Sequence, residues 1–196
     1  MAKFWSVPAS DELDELWLDS RVLRDMQSAS RLEQKVSELF ELLRAPIYRY
    51  VCRLIGQRAE AEDLTQETFL RLYDSLQKGH AMGNVRPWLY RVAHNLAIDW
   101  LRQQGRLEQI EAEALPFATA LDAAPNAEQR LLASERYQRL RVVLAQLSPQ
   151  QRHCLFLRAE GLGYREIGEV LGIGVSTVAT FLGRAIKRIA EDVNEQ

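Results

Sequence analysis

The chain has 196 residues, 47% of them apolar, and 25 Lys and Arg against 27 Asp and Glu, for a formal net charge of -2. That composition supplies one or two buried cores and excludes a uniformly basic nucleic-acid binder. No apolar run approaches about 18 residues, so no membrane span is expected. The start of the chain turns acidic at residues 11–15 with no signal-peptide core behind it, and the widely separated Cys52 and Cys154 read as free thiols in a reducing cytoplasm.

Residues 1–34 place Leu13, Leu16 and Trp17 at helical spacing with Val22 or Leu23, beneath an acidic face of Asp11, Glu12, Asp14, Glu15 and Asp19. Such an arm suits a cap on a domain, a cover for a basic surface, a partner-binding segment or a loose extension. From Leu32 to Leu54 the apolar residues Leu32, Val36, Leu39, Phe40, Leu43, Ile47, Tyr50, Val51 and Leu54 recur with helical period. Pro46 predicts a break or kink between two helices, and Gly56 ends the segment. Residues 59–76 form another amphipathic helix, with Leu64, Phe69, Leu72, Tyr73 and Leu76 inward. Glu60, Glu62, Asp63 and Glu67 crowd its opening turns, where carboxylates suit the positive end of the helix dipole. Together with Gln66 they also form a surface that a basic helix of a partner would fit.

KGHAMGNV, residues 78–85, reads as a loop, and Pro87 suits the first turn of a helix over residues 86–106. Its apolar side carries Trp88, Leu89, Val92, Ala93, Leu96, Ile98 and Leu101. Arg91, His94, Asn95, Asp99 and Arg102 share much of the other side. Trp88, Tyr90 and Trp100 interleave with these polar groups, a combination suited to stacking and hydrogen-bonding unpaired bases. A place for the tryptophans in the core remains the alternative.

Residues 107–136 are rich in alanine and acid, with Pro116 and Pro125, and read as a linker. A helix is expected over 126–144, and Ser148-Pro149 then gives an N-cap followed by proline at the first helical position. Tyr164 to Leu171 is a short helix with Ile167 and Leu171 on one face. Gly168 leaves room for close approach of a second helix, and Gly172 supplies a left-handed stop. That second helix runs from about Val175. Val178, Leu182, Ala185 and Ile189 face inward, and Ser176, Thr177, Thr180, Arg184, Lys187 and Arg188 face out. Leu155, Phe156 and Leu157 furnish a third wall. This is a helix-turn-helix whose outer face suits the major groove, unless the bundle serves something other than DNA. Residues 137–190 hold eight Lys and Arg against three Asp and Glu, whereas 108–136 hold two against six. A basic module flanked by acid suits a DNA reader of restrained affinity.

No phosphate loop, metal-ligand cluster, nucleophile elbow or carboxylate pair is visible. The chain is therefore expected to be no enzyme and to need no metal or cofactor. A stand-alone DNA-binding regulator or an enzyme acting on nucleic acid are the competing readings. The first leaves residues 59–106 unexplained, and the second lacks a catalytic constellation.

Three stretches in order, AEDLTQETFLRLY, RPWLYRVAHNLAIDWLR and LSPQQRHCLFLRAEGLGYREIGEVLGIGVSTVATFLGRAIKRI, resemble the extracytoplasmic-function (ECF) sigma factors of the sigma-70 family. The resemblance spans about Leu39 to Ala190. It implies an all-α chain of two small helical domains on a flexible linker, the second a helix-turn-helix. The expected divisions are an N-terminal extension over 1–34, sigma region 2 over 35–107, an acidic linker over 108–135 and sigma region 4 over 136–192. It implies that Glu62, Asp63, Gln66, Glu67 and Leu70 dock on the β′ clamp of core RNA polymerase, with further contact to the β flap. Asn84, Arg86, Trp88, Arg91, His94, Asn95, Asp99 and Arg102 would read the minus-ten element of promoter DNA. Arg165, Ser176, Thr177, Thr180, Arg184, Lys187 and Arg188 would read the minus-35 element. An anti-sigma factor is the expected regulator. The chain departs from the family pattern at Ala179 and Phe181, where basic residues are common, at Gly183, and at Gly163, where a capping Ser or Thr is usual. His94, Gln103 and Gln104 likewise stand where basic residues are frequent. Fewer phosphate contacts imply weaker and less salt-dependent DNA binding.

Overall fold

A computed structural model of the chain describes residues 29–80, 83–105, 140 and 142–194. Most of the N-terminal arm, the acidic linker and most of the helix expected over 126–144 lie outside these residues. Among the described residues there are six principal helices and no strand: α1 (Ala29–Ile55), α2 (Arg58–Gln77), α3 (Val85–Gln103), α4 (Pro149–Ala159), α5 (Tyr164–Leu171) and α6 (Val175–Asn194).

Helices α1 to α3 pack mutually, and α4 to α6 form a second bundle. The apolar positions read from the sequence do become the first core: Leu39, Leu43, Ile47, Tyr50, Val51 and Leu54 of α1 are buried, with Phe69 and Leu72 of α2 and Leu89, Ala93 and Leu101 of α3. Phe40 meets Phe69 edge-on at 5.0 Å between ring centres. Two threonines are also buried in α2. Thr65 donates to the carbonyl of Ala61 at 2.6 Å and Thr68 to that of Leu64 at 2.7 Å, so neither hydroxyl is left unsatisfied.

Pro46 does not break α1. It lies inside a 27-residue helix, flanked by the buried Leu43 and Ile47. The carbonyl that proline leaves without its helical donor belongs to Leu42, an exposed residue. The buried face that Leu43 and Ile47 share on either side of the proline holds the helix together across that single lost bond.

In the second bundle the local signals act as expected. The Ser148 hydroxyl accepts from the Gln151 amide, and the Gln151 side chain accepts from the Ser148 amide at 3.0 Å, a complete capping box. At Gly172 φ is +68°, in the left-handed region that ends α5. A Cβ on Gly168 would stand 2.7 Å from the carbonyl oxygen of Ile173. The close approach there is thus to the turn backbone at the entrance to α6. The axes of α5 and α6 differ by 104°, within the range of a helix-turn-helix. Val178, Leu182 and Ala185 are buried on the inner face of α6, and Ile189 is half-buried.

The expected pair of separate domains takes a particular form here. Helix α3 packs on α5 and α1 on α4, so the two bundles share one continuous buried cluster. No single described helix is long and apolar enough to cross a membrane.

Candidate polymerase and promoter interfaces

Three outward surfaces and one inward seam hold the residues of interest. On α2, Asp63, Gln66, Glu67 and Leu70 follow one another at i, i+3, i+4 and i+7, which places them on one helix face. Leu70 is 61% exposed, an apolar group left in water amid acids. Glu67 accepts from Arg71 at 2.8 Å, and Glu62 from Arg44 of α1 at 2.6 Å. Both pairs are open to solvent and worth little to the fold, so their carboxylates can exchange partners at low cost.

The eight residues expected to read the minus-ten element are not brought together as one surface. Arg91, Asn95, Asp99 and Arg102 are exposed along a single stripe of α3, with Arg102 donating to Asp99 at 2.7 Å. Asn84 is the N-cap of α3, its side chain accepting from the Arg86 amide at 3.1 Å. Trp88 is half-buried against the core.

Arg86 and His94 turn the other way, into the seam between the bundles. Arg86 donates to the backbone carbonyl of Glu160 at 2.9 Å and lies 3.6 Å from the Glu166 carboxylate. The His94 Nδ1 is 2.8 Å from the Tyr50 hydroxyl, and its ring meets His153 of α4 edge-on at 5.0 Å. Burial lowers the His94 pKa to about 4. Burial, with His94 and Arg152 nearby, lowers that of His153 to about 3. Both rings are neutral near pH 7.

Tyr90, read from the sequence as a possible base-stacking group, is fully buried and packs edge-on against Tyr50 at 5.6 Å. Its pKa is raised, first by burial and then by nearby Glu160. It is a core residue, because its position on α3 faces α1 rather than solvent.

Sequence reasoning missed the centre of this seam. Glu160 follows the last turn of α4, with its side chain 1% exposed. It accepts from Arg49 Nη2 at 2.7 Å and makes a closer bond with Arg53 Nη1, both from α1. No local motif marks a lone acid 107 to 111 residues from its partners.

On α6, Ser176, Thr180, Arg184, Lys187 and Arg188 are exposed and Thr177 is half-buried. Thr180 donates to the Ser176 carbonyl at 2.9 Å, and Arg188 to the Gln146 side chain at 2.8 Å. Lys187 pairs loosely with Glu191 at 3.8 Å, and on α5 the highly exposed Arg165 lies 3.4 Å from Glu169. Among the described residues Arg184 is the one α6 cation without a hydrogen bond or ion pair. Ala179 and Gly183 are exposed, and a Cβ on Gly183 would meet open space. Phe181 instead packs against the core. Gly163 lacks a capping side chain, but the Glu166 carboxylate accepts from its amide at 2.8 Å, which supplies half of a capping box.

Residues 39–107 match the family Sigma-70 region 2 and residues 137–189 match Sigma-70, region 4. The chain belongs to the sigma-70 family. Relatives place it in the ECF branch. It is 37% identical over 148 residues to the ECF RNA polymerase sigma factor SigE of Mycolicibacterium smegmatis, covering 74% of this chain and 56% of that one. It is 30% identical over 151 residues to the RNA polymerase sigma factor YlaC of Bacillus subtilis, covering 76% and 87%. To the ECF RNA polymerase sigma-E factor of Escherichia coli it is 29% identical over 184 residues, covering 89% and 96%. Two solved structures share the fold. The sigma factor RpoE of Bartonella quintana, in complex with the anti-sigma factor NepR, superposes with a TM-score of 0.61 at 23% identity, covering 82% of this chain and 98% of that one. CnrH in complex with the cytosolic domain of CnrY gives a TM-score of 0.59 at 19% identity, covering 91% and 98%. As a sigma factor, this ECF-type chain serves promoter recognition and transcription initiation with RNA polymerase.

Proposed function

We propose that this chain is an alternative sigma factor working in the cytoplasm, with no catalytic chemistry of its own, and that its surfaces divide the labour as follows. The Asp63, Gln66, Glu67 and Leu70 face of α2 docks on a basic helical surface of the β′ clamp of core RNA polymerase, with Glu62 at its margin. The exposed stripe of α3, Arg91, Asn95, Asp99 and Arg102, contacts the opened minus-ten element, where hydrogen bonds and charge offset the cost of unstacking bases. Trp88 stands at the edge of that stripe. The outer face of α6, with Arg184 foremost and Ser176, Thr177, Thr180, Lys187 and Arg188 around it, reads the minus-35 element in the major groove, and Arg165 of α5 holds the phosphate backbone. The β flap and an anti-sigma factor complete the set of partners. The two modules are taken to be residues 35–107 and 136–192, with 1–34 as an extension and 108–135 as the linker.

One observation carries this reading. Two sigma-family modules stand in order on one chain, and each presents a polar stripe on an exposed helix face, Arg91, Asn95, Asp99 and Arg102 on α3 and Ser176, Thr180, Arg184, Lys187 and Arg188 on α6. The test is run-off transcription with purified bacterial core polymerase on fragmented genomic DNA. Discrete transcripts are expected only when the chain is present, and they should vanish in the Asp63→Lys/Glu67→Lys variant. Tight operator binding by the free chain with no transcripts would replace this reading with that of a stand-alone regulator.

A further inference from the structure

The exposed surface of α6 carries two stripes of different chemistry. At 3.6 residues per turn, Val175, Ala179, Gly183 and Ile186 fall within one narrow arc of the helix. That arc lies between the buried stripe of Val178, Leu182 and Ala185 and the polar stripe that contains Arg184. All four of its residues are open to solvent, Val175 at 49% and Ile186 at 54%. Gly183 has no use inside the chain. Glycine in a helix interior is destabilising relative to alanine, yet a Cβ here would meet nothing within 4 Å, and its φ is not in the left-handed region. Packing and backbone conformation leave that notch unexplained, and close approach by a ligand is the remaining use of such a glycine.

The surroundings narrow the ligand. Arg184, Lys187 and Arg188 of α6 are exposed, as is Arg165 of α5, a set of cations that complements a polyanionic duplex. The opening turns of a recognition helix are the part that meets base edges, and from Val175 to Gly183 they hold no cation and no side-chain amide. Guanine is read by Arg or Lys and adenine by Asn or Gln, so neither reader is present there. Thr180 donates its hydroxyl proton to the Ser176 carbonyl at 2.9 Å. Its donor is spent inside the helix, and its methyl is left for an outside contact. The base-edge group that an apolar, methyl-bearing surface recognises is the 5-methyl of thymine.

We propose that Val175, Ala179 and Thr180 read thymine 5-methyl groups in the minus-35 element, with Gly183 as the notch that admits the base edge. This chain then selects A·T pairs there by apolar contact, while its cations supply affinity without base identity. The proposal rests on the minus-35 reading of α6 made above and names the base feature which that reading leaves open.

Uracil differs from thymine only in lacking the 5-methyl group, so it isolates the contact. Holoenzyme assembled from core polymerase and the full chain is titrated with a promoter recovered from the run-off screen. The duplex carries thymine or uracil throughout the minus-35 element and is unchanged elsewhere. Wild type should bind the uracil duplex about fourfold more weakly for each methyl contacted. Val175→Ala/Ala179→Gly should bind the thymine duplex more weakly and lose most of the preference for thymine. Gly183→Ala should raise the thermal midpoint of the free chain, because alanine favours the helix, and yet lower promoter affinity several-fold. A residue of purely structural importance would move both readouts the same way. Equal affinity of wild type for the two duplexes overturns the proposal, as does a minus-35 element without thymine on either strand or undiminished affinity in Gly183→Ala. A thymine preference that survives in Val175→Ala/Ala179→Gly also overturns it, since the methyl then acts through DNA shape. Arg184→Ala tests the underlying reading and should weaken both duplexes by the same factor. If it does so while wild type binds thymine and uracil alike, the methyl contact alone fails. If Arg184→Ala changes nothing and wild type still binds both alike, the minus-35 assignment of α6 fails with it.

Discussion

The two faces of α3 carry similar residue types in opposite environments. Outward, Arg91, Asn95, Asp99 and Arg102 stand in water, and the Asp99–Arg102 pair is exposed on both sides. Inward, Arg86, Tyr90 and His94 meet the second bundle and α1, with Arg86 only 14% exposed at its side chain. A cation in the outer stripe is replaceable as far as the fold is concerned, and is therefore free for the promoter contact proposed for it. A cation in the inner stripe is committed to a fixed acceptor. Identical chemistry becomes binding surface or structural joint according to what lies across from it.

The sharpest way to break this contrast is Arg86→Ala. It strands the Glu160 carbonyl and removes the guanidinium facing Glu166, so thermal or urea unfolding should show a loss of about 2–3 kcal/mol, the range for charge-assisted bonds. An unchanged midpoint would mean that the seam contributes nothing to stability.

Acid should loosen the same seam. His94 and His153 are held at about 4 and about 3, below their ordinary 6.5. The groups facing them are the Tyr50 hydroxyl, each other's ring and Arg152, none of which favours the charged form. Because both folded-state values are depressed, the opened chain binds protons that the closed chain refuses. The seam's contribution is therefore whole above pH 6.5 and is lost as pH falls through 6.5 toward 4. At pH 5 the loss is on the order of 1–2 kcal/mol per histidine. Urea midpoints measured from pH 7.5 to 5 should fall, and His153→Gln should flatten the slope. A slope untouched by that change would assign the acid sensitivity to other groups.

Tyr90 and Tyr50 sharpen the comparison further. Among the described residues the buried Tyr90 hydroxyl has no hydrogen-bond partner, so Tyr90→Phe should be neutral or stabilising by up to about 1 kcal/mol. Tyr50→Phe forfeits the bond to His94 and should cost about 1 kcal/mol. Equal effects from the two changes would contradict the assigned bonding.

The smallest effect on the fold belongs to Arg102→Ala. Its exposed pair with Asp99 should be worth less than about 0.5 kcal/mol. The same change should reduce the salt dependence of promoter binding by about one unit of slope. A large loss of stability would mean that the outer stripe is structural after all.

Much of this molecule is legible in the chain itself. The Ser148 N-cap and the left-handed stop at Gly172 are satisfied within a few residues of themselves. So are the buried stripes of α1, α2 and α6, because helical period alone decides which side chains share a face. The family motifs and the exposed acids of α2 were equally visible. Where local reading failed, burial had overruled it. Pro46 passes through α1 because core contacts flank it, and Tyr90 is core because α1 lies across from it.

What the sequence determined, then, was everything set by contacts within a few turns of one helix: the elements, their caps, their amphipathic faces and the order of two sigma-type modules. What only the tertiary structure decided was which faces meet. Glu160 finds Arg49 and Arg53 across 111 and 107 residues of chain, and His94 finds His153 across the same seam. Periodicity records the direction in which a side chain points from its own helix. It carries no information about the distance to a helix that folds back from another module, and that distance decides whether an arginine stands in water or is held between the bundles.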